Sequence, residues 1–460
     1  MIDIKVKDII KICNGKLIYG DENIVCDNFS KDTRFIEKND VYIGIKGQNF
    51  DGNLFYEEAL EKGASVCILQ GVDIDVNRLN KFKNIAIIIV ENTIKALQQI
   101  AKYKRSLYNI PVIAITGSVG KTSTKDIVAS VMSEKYNVLK TEGNLNNHIG
   151  LPLTILKLKE HNALVVEMGM SALGEIRVLT NIANPTMCVI TNIGTSHIGE
   201  LGSRENILKA KLEILEGMKQ DGILVINNDN DLLHLWNEKN NKYKVKTYGI
   251  ENESDIIAEN IVLDENGSLF NVTVNNNTYN VRVPVGGKHF VYNSLCAMCV
   301  GLENGIEIND IIDGISKFEL TKNRMDIQKN SKGITIINGS YNASYDSMKA
   351  SIEYLASLNG RKIAVLGDML ELGKFSKKLH ENVGEEVEKN NIDILVVCGK
   401  EAKNISRKAI ELGMDKSKVF EFNELNDVVD YLKSMLKTDD VVLVKASNGM
   451  HFNKIVQDLN

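Results

Sequence analysis

Ile113-Ala114-Ile115-Thr116-Gly117-Ser118-Val119-Gly120-Lys121-Thr122-Ser123-Thr124 is the stretch that decides how this chain is read. An apolar run predicting a buried strand breaks at Gly117, turns through Gly120, and passes into a helical pattern over Lys125 to Lys135. Two glycines let the backbone turn tightly and direct its N–H groups into one concavity. Lys121 adds a mobile positive charge, and the Thr122 hydroxyl suits a divalent cation such as Mg²⁺. Amides at a helix N-terminus, a lysine and a metal ion together hold a polyphosphate. The common spacing Gly-x-x-x-x-Gly-Lys would need glycine at 115, where Ile115 stands, so the loop is the shorter Thr-Gly-x-x-Gly-Lys-Thr variant.

Outward from the loop, four continuous apolar runs predict parallel strands covered on both faces: 112–116, 164–167, 188–191 and 223–226. Between 256 and 285 the pattern changes to alternation with turn signals at 264–267 and at Asn275-Asn276-Asn277, predicting an antiparallel patch. Five further buried strands follow past Lys317, at 334–337, 362–366, 394–397, 419–422 and 441–444, without a complete Gly-x-Gly-x-x-Gly fingerprint. Before the loop, the run 85–90 reads as a strand, and Thr93 to Tyr108 as a helix with Asn92 at its N-cap. A further helix is expected over 206–218. The fold class is therefore α/β with three domains. These are a small N-terminal α/β domain (1–107), a central domain with a phosphate-loop-type parallel sheet (108–318) and a C-terminal Rossmann-like domain (319–460).

The 460 residues are 43% hydrophobic and 25% charged, with a formal net charge of −5. That balance gives no reason to expect nucleic acid or an anionic membrane as partner, so a polyanionic ligand must be held by local amides, lysines and metal. The start of the chain, from Met1 to Asp8, is charged throughout, and no apolar run approaches the ~20 residues of a membrane span. A cytosolic protein is expected. Seven scattered cysteines argue against a disulfide framework. Cys296 and Cys299 are the one close pair and read as buried thiols on an apolar helix.

Several segments follow the loop in a distinctive order: Gly143-Asn144-Leu145-Asn146-Asn147-His148-Ile149-Gly150, Val165-Val166-Glu167-Met168-Gly169, Ile190-Thr191-Asn192-Ile193-Gly194-Thr195-Ser196-His197, and Lys209-Ala210-Lys211-Leu212-Glu213. With these, over nearly its whole length, the chain resembles the Mur ligases, which use ATP to form amide bonds in peptidoglycan precursors. Ser340-Tyr341-Asn342-Ala343-Ser344-Tyr345-Asp346-Ser347-Met348 and Val365-Leu366-Gly367-Asp368-Met369-Leu370-Glu371-Leu372-Gly373 resemble the branch that joins D-alanyl-D-alanine to UDP-N-acetylmuramoyl tripeptide.

The resemblance implies transfer of the ATP γ-phosphate to a carboxylate, and attack by an amine on the acyl phosphate. Such chemistry is mainly a problem of positioning and charge neutralisation, since like charges at about 4 Å repel by roughly 4 kcal/mol at an effective dielectric near 20. It implies that Gly117, Ser118, Val119, Gly120, Lys121, Thr122 and Ser123 hold the phosphates, and that Asn293 meets the adenine. Arg324 would reach the phosphates from the third domain. Thr122 and Glu167 are expected at one Mg²⁺, and His197 with Lys211, carbamylated by CO₂, at another. Lys209 competes with Lys211 for that role. Asp32, Thr33, Arg34, Lys46 and Gly47 resemble the segments that hold the UDP end of the substrate, and Asn146 and Asn147 fall near its muramyl part. Catalytic roles are implied for Lys121, Lys211, His197 and Glu167.

Three positions depart from the family pattern. Gly339 replaces a carboxylate, Tyr345 a proline and Asn448 an arginine. The third leaves open a relative that joins a different amine, and a folylpolyglutamate-synthase-like ligase shares the central domain but is not expected to carry this N-terminal uridine-type segment. Three domains around one site imply closure on the substrates. A monomer is expected.

Overall fold

A computed structural model describes residues 4–264, 267–319 and 325–460. The expected α/β architecture is present as three main sheets. The first orders its strands Lys16–Gly20, Ala86–Ile89, Val66–Leu69, Val41–Ile43 and Phe29–Ser30, with only the first pair antiparallel. Asn92 caps the helix Thr93–Ser106 as expected, its Oδ1 accepting the Lys95 N–H at 2.8 Å.

The second sheet has nine strands. Third from one edge is Val112–Thr116, flanked by Ala163–Glu167 on one side and Met187–Ile190 on the other, all parallel. The register decides the site: Glu167 pairs with Ile115, and Ile190 with Thr116. Three carboxyl ends therefore finish level at the point where the strand order switches direction, where open α/β sheets bind ligands. The antiparallel patch is formed by Ile256–Asp264, Gly267–Val274 and Asn277–Val283. Asn275 and Asn276 join the last two with φ of 50° and 65°, the positive values a type I′ turn requires. The other turn signal includes Glu265 and Asn266, which lie outside the described residues.

In the third sheet, Asp440–Lys445 is central, between Thr335–Asn338 and Arg361–Gly367. Along Arg361–Gly367 the side chains alternate between two cores: Ile363 and Val365 pack into one, Ala364 and Leu366 into the other. Burial on both faces is why these strands read as unbroken apolar runs.

Sequence periodicity misses two edge strands and one interior strand. Val138–Lys140, Lys244–Gly249 and the antiparallel Asp326–Lys329 are strands that carry too few apolar residues to stand out. The helix expected over 206–218 is instead Arg204–Leu212, followed by a 3₁₀ turn at Glu213–Gly217. Ser203 starts it early by accepting the Asn206 N–H. Glu213 ends it by turning its carboxylate to the backbone N–H groups of Gly174 (2.8 Å) and Arg177 (3.2 Å). Among the described residues no helix is long and apolar enough to cross a membrane.

Candidate active site

A cavity of about 590 Å³ lies between the carboxyl ends of the second and third sheets. Ser118 to Ser123 line it from one side, Gly339, Tyr341 to Ser344 and Lys445 from the other, with Asn146, Glu167, His197 and Asn293 between. The loop glycines are required by geometry. Gly120 has φ 80°, and at Gly117 a Cβ would fall 1.8 Å from Thr191 Oγ1. Gly120 caps the helix Lys121–Ser133, and among the described residues no side chain caps that N-terminus. The first-turn N–H groups and the helix dipole are therefore available to an anion.

Not every loop amide is available. Asn192 Oδ1 accepts the N–H groups of Ser118 (3.1 Å) and Val119 (3.0 Å), and the Thr191 hydroxyl donates to Val119 O at 2.7 Å. The Lys121 ammonium folds back onto the carbonyls of Gly117 (2.9 Å) and Ser118 (3.3 Å).

Glu167 is the last residue of its strand and buried. Its Oε2 accepts the Thr122 hydroxyl at 2.6 Å and its Oε1 the Asn146 amide at 2.7 Å. Asn147, also on the cavity wall, instead uses its Oδ1 to accept the Gly150 N–H at 2.8 Å. The pair of a buried carboxylate and a hydroxyl is a hard oxygen donor set that fits Mg²⁺. Among the described residues no three His, Cys, Asp or Glu side chains converge as a metal cluster, so further donors must be of other kinds.

Lys211 is one of the largest fully buried side chains and makes no hydrogen bond or ion pair among the described residues. Burial, and then the nearby Lys121 charge, hold its pKa well below the usual lysine value. The amine is held toward its neutral form, which suits reaction with CO₂. Lys209, two residues earlier, is exposed. His197 has φ 61°, and its Nδ1 lies 2.7 Å from Glu371 Oε2, out of line for an N–H···O bond. Burial lowers its pKa, the Glu371 charge opposes that shift, and Lys121 and Lys211 reinforce it.

Asn293 accepts the Thr124 hydroxyl at 3.0 Å, and its buried Nδ2 has no partner among the described residues. A buried donor left unpaired costs free energy, so it fits a ligand acceptor such as an adenine ring nitrogen. At Gly339 a Cβ would meet nothing closer than 3.5 Å, so the backbone does not require glycine there. The Tyr345 hydroxyl donates to Glu386 at 3.0 Å, and Asn448 is exposed. Arg324 lies outside the described residues.

The N-terminal candidates do not line this cavity. Asp32 accepts the Arg34 backbone N–H at 3.0 Å and guanidinium Nη2 at 2.6 Å, and Lys46 lies 3.7 Å from Asp51. The Thr33 hydroxyl donates to Glu58 at 2.9 Å, and the Gly47 N–H to Phe50 O. Exposed Phe35, Phe50 and Leu54 belong to the same segments. Asn192, Asp346 and Glu371 are site residues that sequence reasoning assigned no role. All three lie inside quoted motifs, but their partners are up to 174 positions away, which only the fold reveals.

Two family descriptions match: Mur ligase middle domain over residues 115–301, and Mur ligase, glutamate ligase domain, over 323–448. The chain belongs to the Mur ligase family of ATP-dependent ligases. It is 40% identical to the UDP-N-acetylmuramoyl-tripeptide–D-alanyl-D-alanine ligase of Bacillus subtilis, over 100% of this chain and 99% of that one. A crystal structure of MurF from Acinetobacter baumannii superposes with a TM-score of 0.90 at 28% identity, covering 100% and 99% of the two chains. MurF of Thermotoga maritima in complex with ADP gives 0.83 at 29% identity, covering 94% and 96%.

Proposed function

We propose that this chain joins D-alanyl-D-alanine to UDP-N-acetylmuramoyl tripeptide at the expense of ATP, as a monomer, in the cytoplasmic assembly of peptidoglycan precursors. One observation carries the reading. A phosphate-loop helix with no side-chain cap, the Thr122–Glu167 pair and a buried Lys211 without a hydrogen-bond partner among the described residues occur in a chain that matches ligases named for this reaction along its full length.

The helix N-terminus and Lys121 hold the triphosphate, and Asn293 takes the adenine through its unpaired Nδ2. Arg324 is assigned to the phosphates from the other side. The substrate carboxylate oxygen attacks the γ-phosphorus, and ADP leaves. The dipeptide amine then attacks the acyl carbon, phosphate departs, and the nitrogen releases its proton. Mg²⁺ supplies charge neutralisation between phosphates and acyl oxygen when bound. Thr122 and Glu167 would hold one ion, and His197 with carbamylated Lys211 the other. The 1–107 domain holds the UDP group through Asp32, Thr33, Arg34, Lys46 and Gly47, and Asn146 and Asn147 meet the muramyl part. The 108–318 domain binds ATP, and the 319–460 domain brings the amine.

Exposed Asn448, where the family has arginine, supports a second reading in which a different amine is joined. A phosphate-release assay with a panel of UDP-muramyl peptides and amines decides between them. Turnover is expected to need both the tripeptide and D-alanyl-D-alanine. Turnover with another amine alone would establish the second reading.

A further inference from the structure

The segment Asn192–His197 touches both large sheets. On one side it is tied to the phosphate loop: Gly194 N–H donates to Ser118 Oγ at 2.9 Å, and the Ser196 hydroxyl to Ser118 O at 3.2 Å. Asn192 holds the Ser118 and Val119 amides, so the first half of the loop is fastened to this segment. On the other side, Asp346 Oδ2 accepts both the Thr195 N–H (2.8 Å) and the Thr195 hydroxyl (2.9 Å). Asp346 sits in the first turn of the helix Tyr345–Ser357 of the third sheet's unit, 151 residues away from Thr195. A Cβ at Gly194 would come within 2.3 Å of its carboxylate, so the approach depends on glycine there. Arg204 anchors the start of the segment through Ile193 O (2.7 Å), leaving Gly194 and Thr195 as the part that Asp346 grips.

We infer that Asp346 is a positioning residue that couples docking of the C-terminal unit to the phosphate loop, acting through Thr195, Gly194 and Ser118. Its two bonds form only when the C-terminal unit is seated on the central one. Seating therefore fixes the loop for nucleotide, and nucleotide bound to that loop favours seating in return, since such coupling is reciprocal. The inference rests on the reading of the loop as the nucleotide site.

Calorimetric titration of the full chain with ADP tests it. Asp346→Ala is expected to weaken ADP about ten-fold, within the usual range of coupling between sites. Asp346→Asn keeps an acceptor oxygen for both Thr195 donors and should bind within about two-fold of the parent. Thr195→Val keeps the N–H alone and should fall between them. In a Ser118→Ala background, which removes the Gly194 acceptor, Asp346→Ala should lose most of its effect. Equal losses in both backgrounds would mean that Asp346 meets the nucleotide directly, and would overturn the inference. So would parent-like affinity in Asp346→Ala. If Asp346→Ala does not fold, the ordering of Thr195→Val below Asp346→Asn decides, and its reversal overturns the inference. A parent protein that binds no ADP would overturn the nucleotide-site reading itself, a separate failure.

Discussion

Two helix N-termini, one beside the second sheet and one beside the third, are treated in opposite ways. In the second, Val112–Thr116 runs into the glycine loop, and the helix after it begins with no side chain on its amides. In the third, Arg361–Gly367 runs into Asp368, whose Oδ1 accepts the Ala402 N–H at 2.7 Å, just ahead of the helix Lys403–Leu412. Gly399 leaves the room, since a Cβ there would lie 2.3 Å from that oxygen. One of these helix starts receives an anion from the chain itself, and the other leaves the place open. The lesson is that a parallel sheet supplies the electrostatics of an anion site wherever a helix begins, and side-chain occupancy decides whether a ligand uses it.

The largest effect should come from Lys211, which adds negative charge to the open site only if it is modified. Lys211→Ala is expected to lower ligation by on the order of 10³-fold, as for loss of a main electrostatic group, while circular dichroism stays unchanged. Short carboxylic acids should restore part of the rate, and exposed Lys209→Ala should remain active. Near-normal turnover in Lys211→Ala would remove the carbamate from the account.

Closing the open site by sterics should come next. Gly117→Ala places a methyl group against Thr191 and strains a positive φ, so ADP affinity should fall about a hundred-fold. Unchanged titration curves would show that the loop can relax, and that glycine is not what keeps the site open.

Emptying the occupied sheet end gives a smaller effect of a different kind. Asp368→Ala leaves the buried Ala402 N–H unpaired and should cost about 1–3 kcal/mol in urea unfolding. ADP affinity should hardly change. Should ADP affinity fall as stability holds, Asp368 serves the ligand and the contrast between the sheets fails.

The smallest effect is a pH dependence. His289 lines the cavity, and burial, followed by the Lys445 charge, lowers its pKa from 6.5 to about 4. The folded state thus holds fewer protons than the unfolded state between those values. This contribution is intact above pH 6.5 and is lost as pH falls toward 4. The ring is part-exposed, so the slope should amount to on the order of 1 kcal/mol, and His289→Gln should flatten it.

The phosphate loop was legible because its function is written in local backbone needs: glycine where φ is positive, then lysine and threonine at a helix start. Asn293 and Lys211 were legible only through resemblance, since an asparagine or a lysine on a helix is otherwise ordinary. The N-terminal segment was legible as a motif, yet its charged groups pair with near neighbours in sequence, Arg34 with Asp32 and Lys46 with Asp51. Local pairs of exposed charges contribute little and do not mark a site by themselves.

By itself the sequence determined the parallel α/β class, the loop and the order of the motifs, because periodicity and turn chemistry act over a few residues. Tertiary structure alone decided that Asn192 fills two of the loop amides, that Lys211 rather than Lys209 is buried, and that Asp346 reaches Thr195. Those outcomes depend on strand register and on the seating of one sheet against another. Both are set by burying two faces of each sheet at once, which no local stretch of chain encodes.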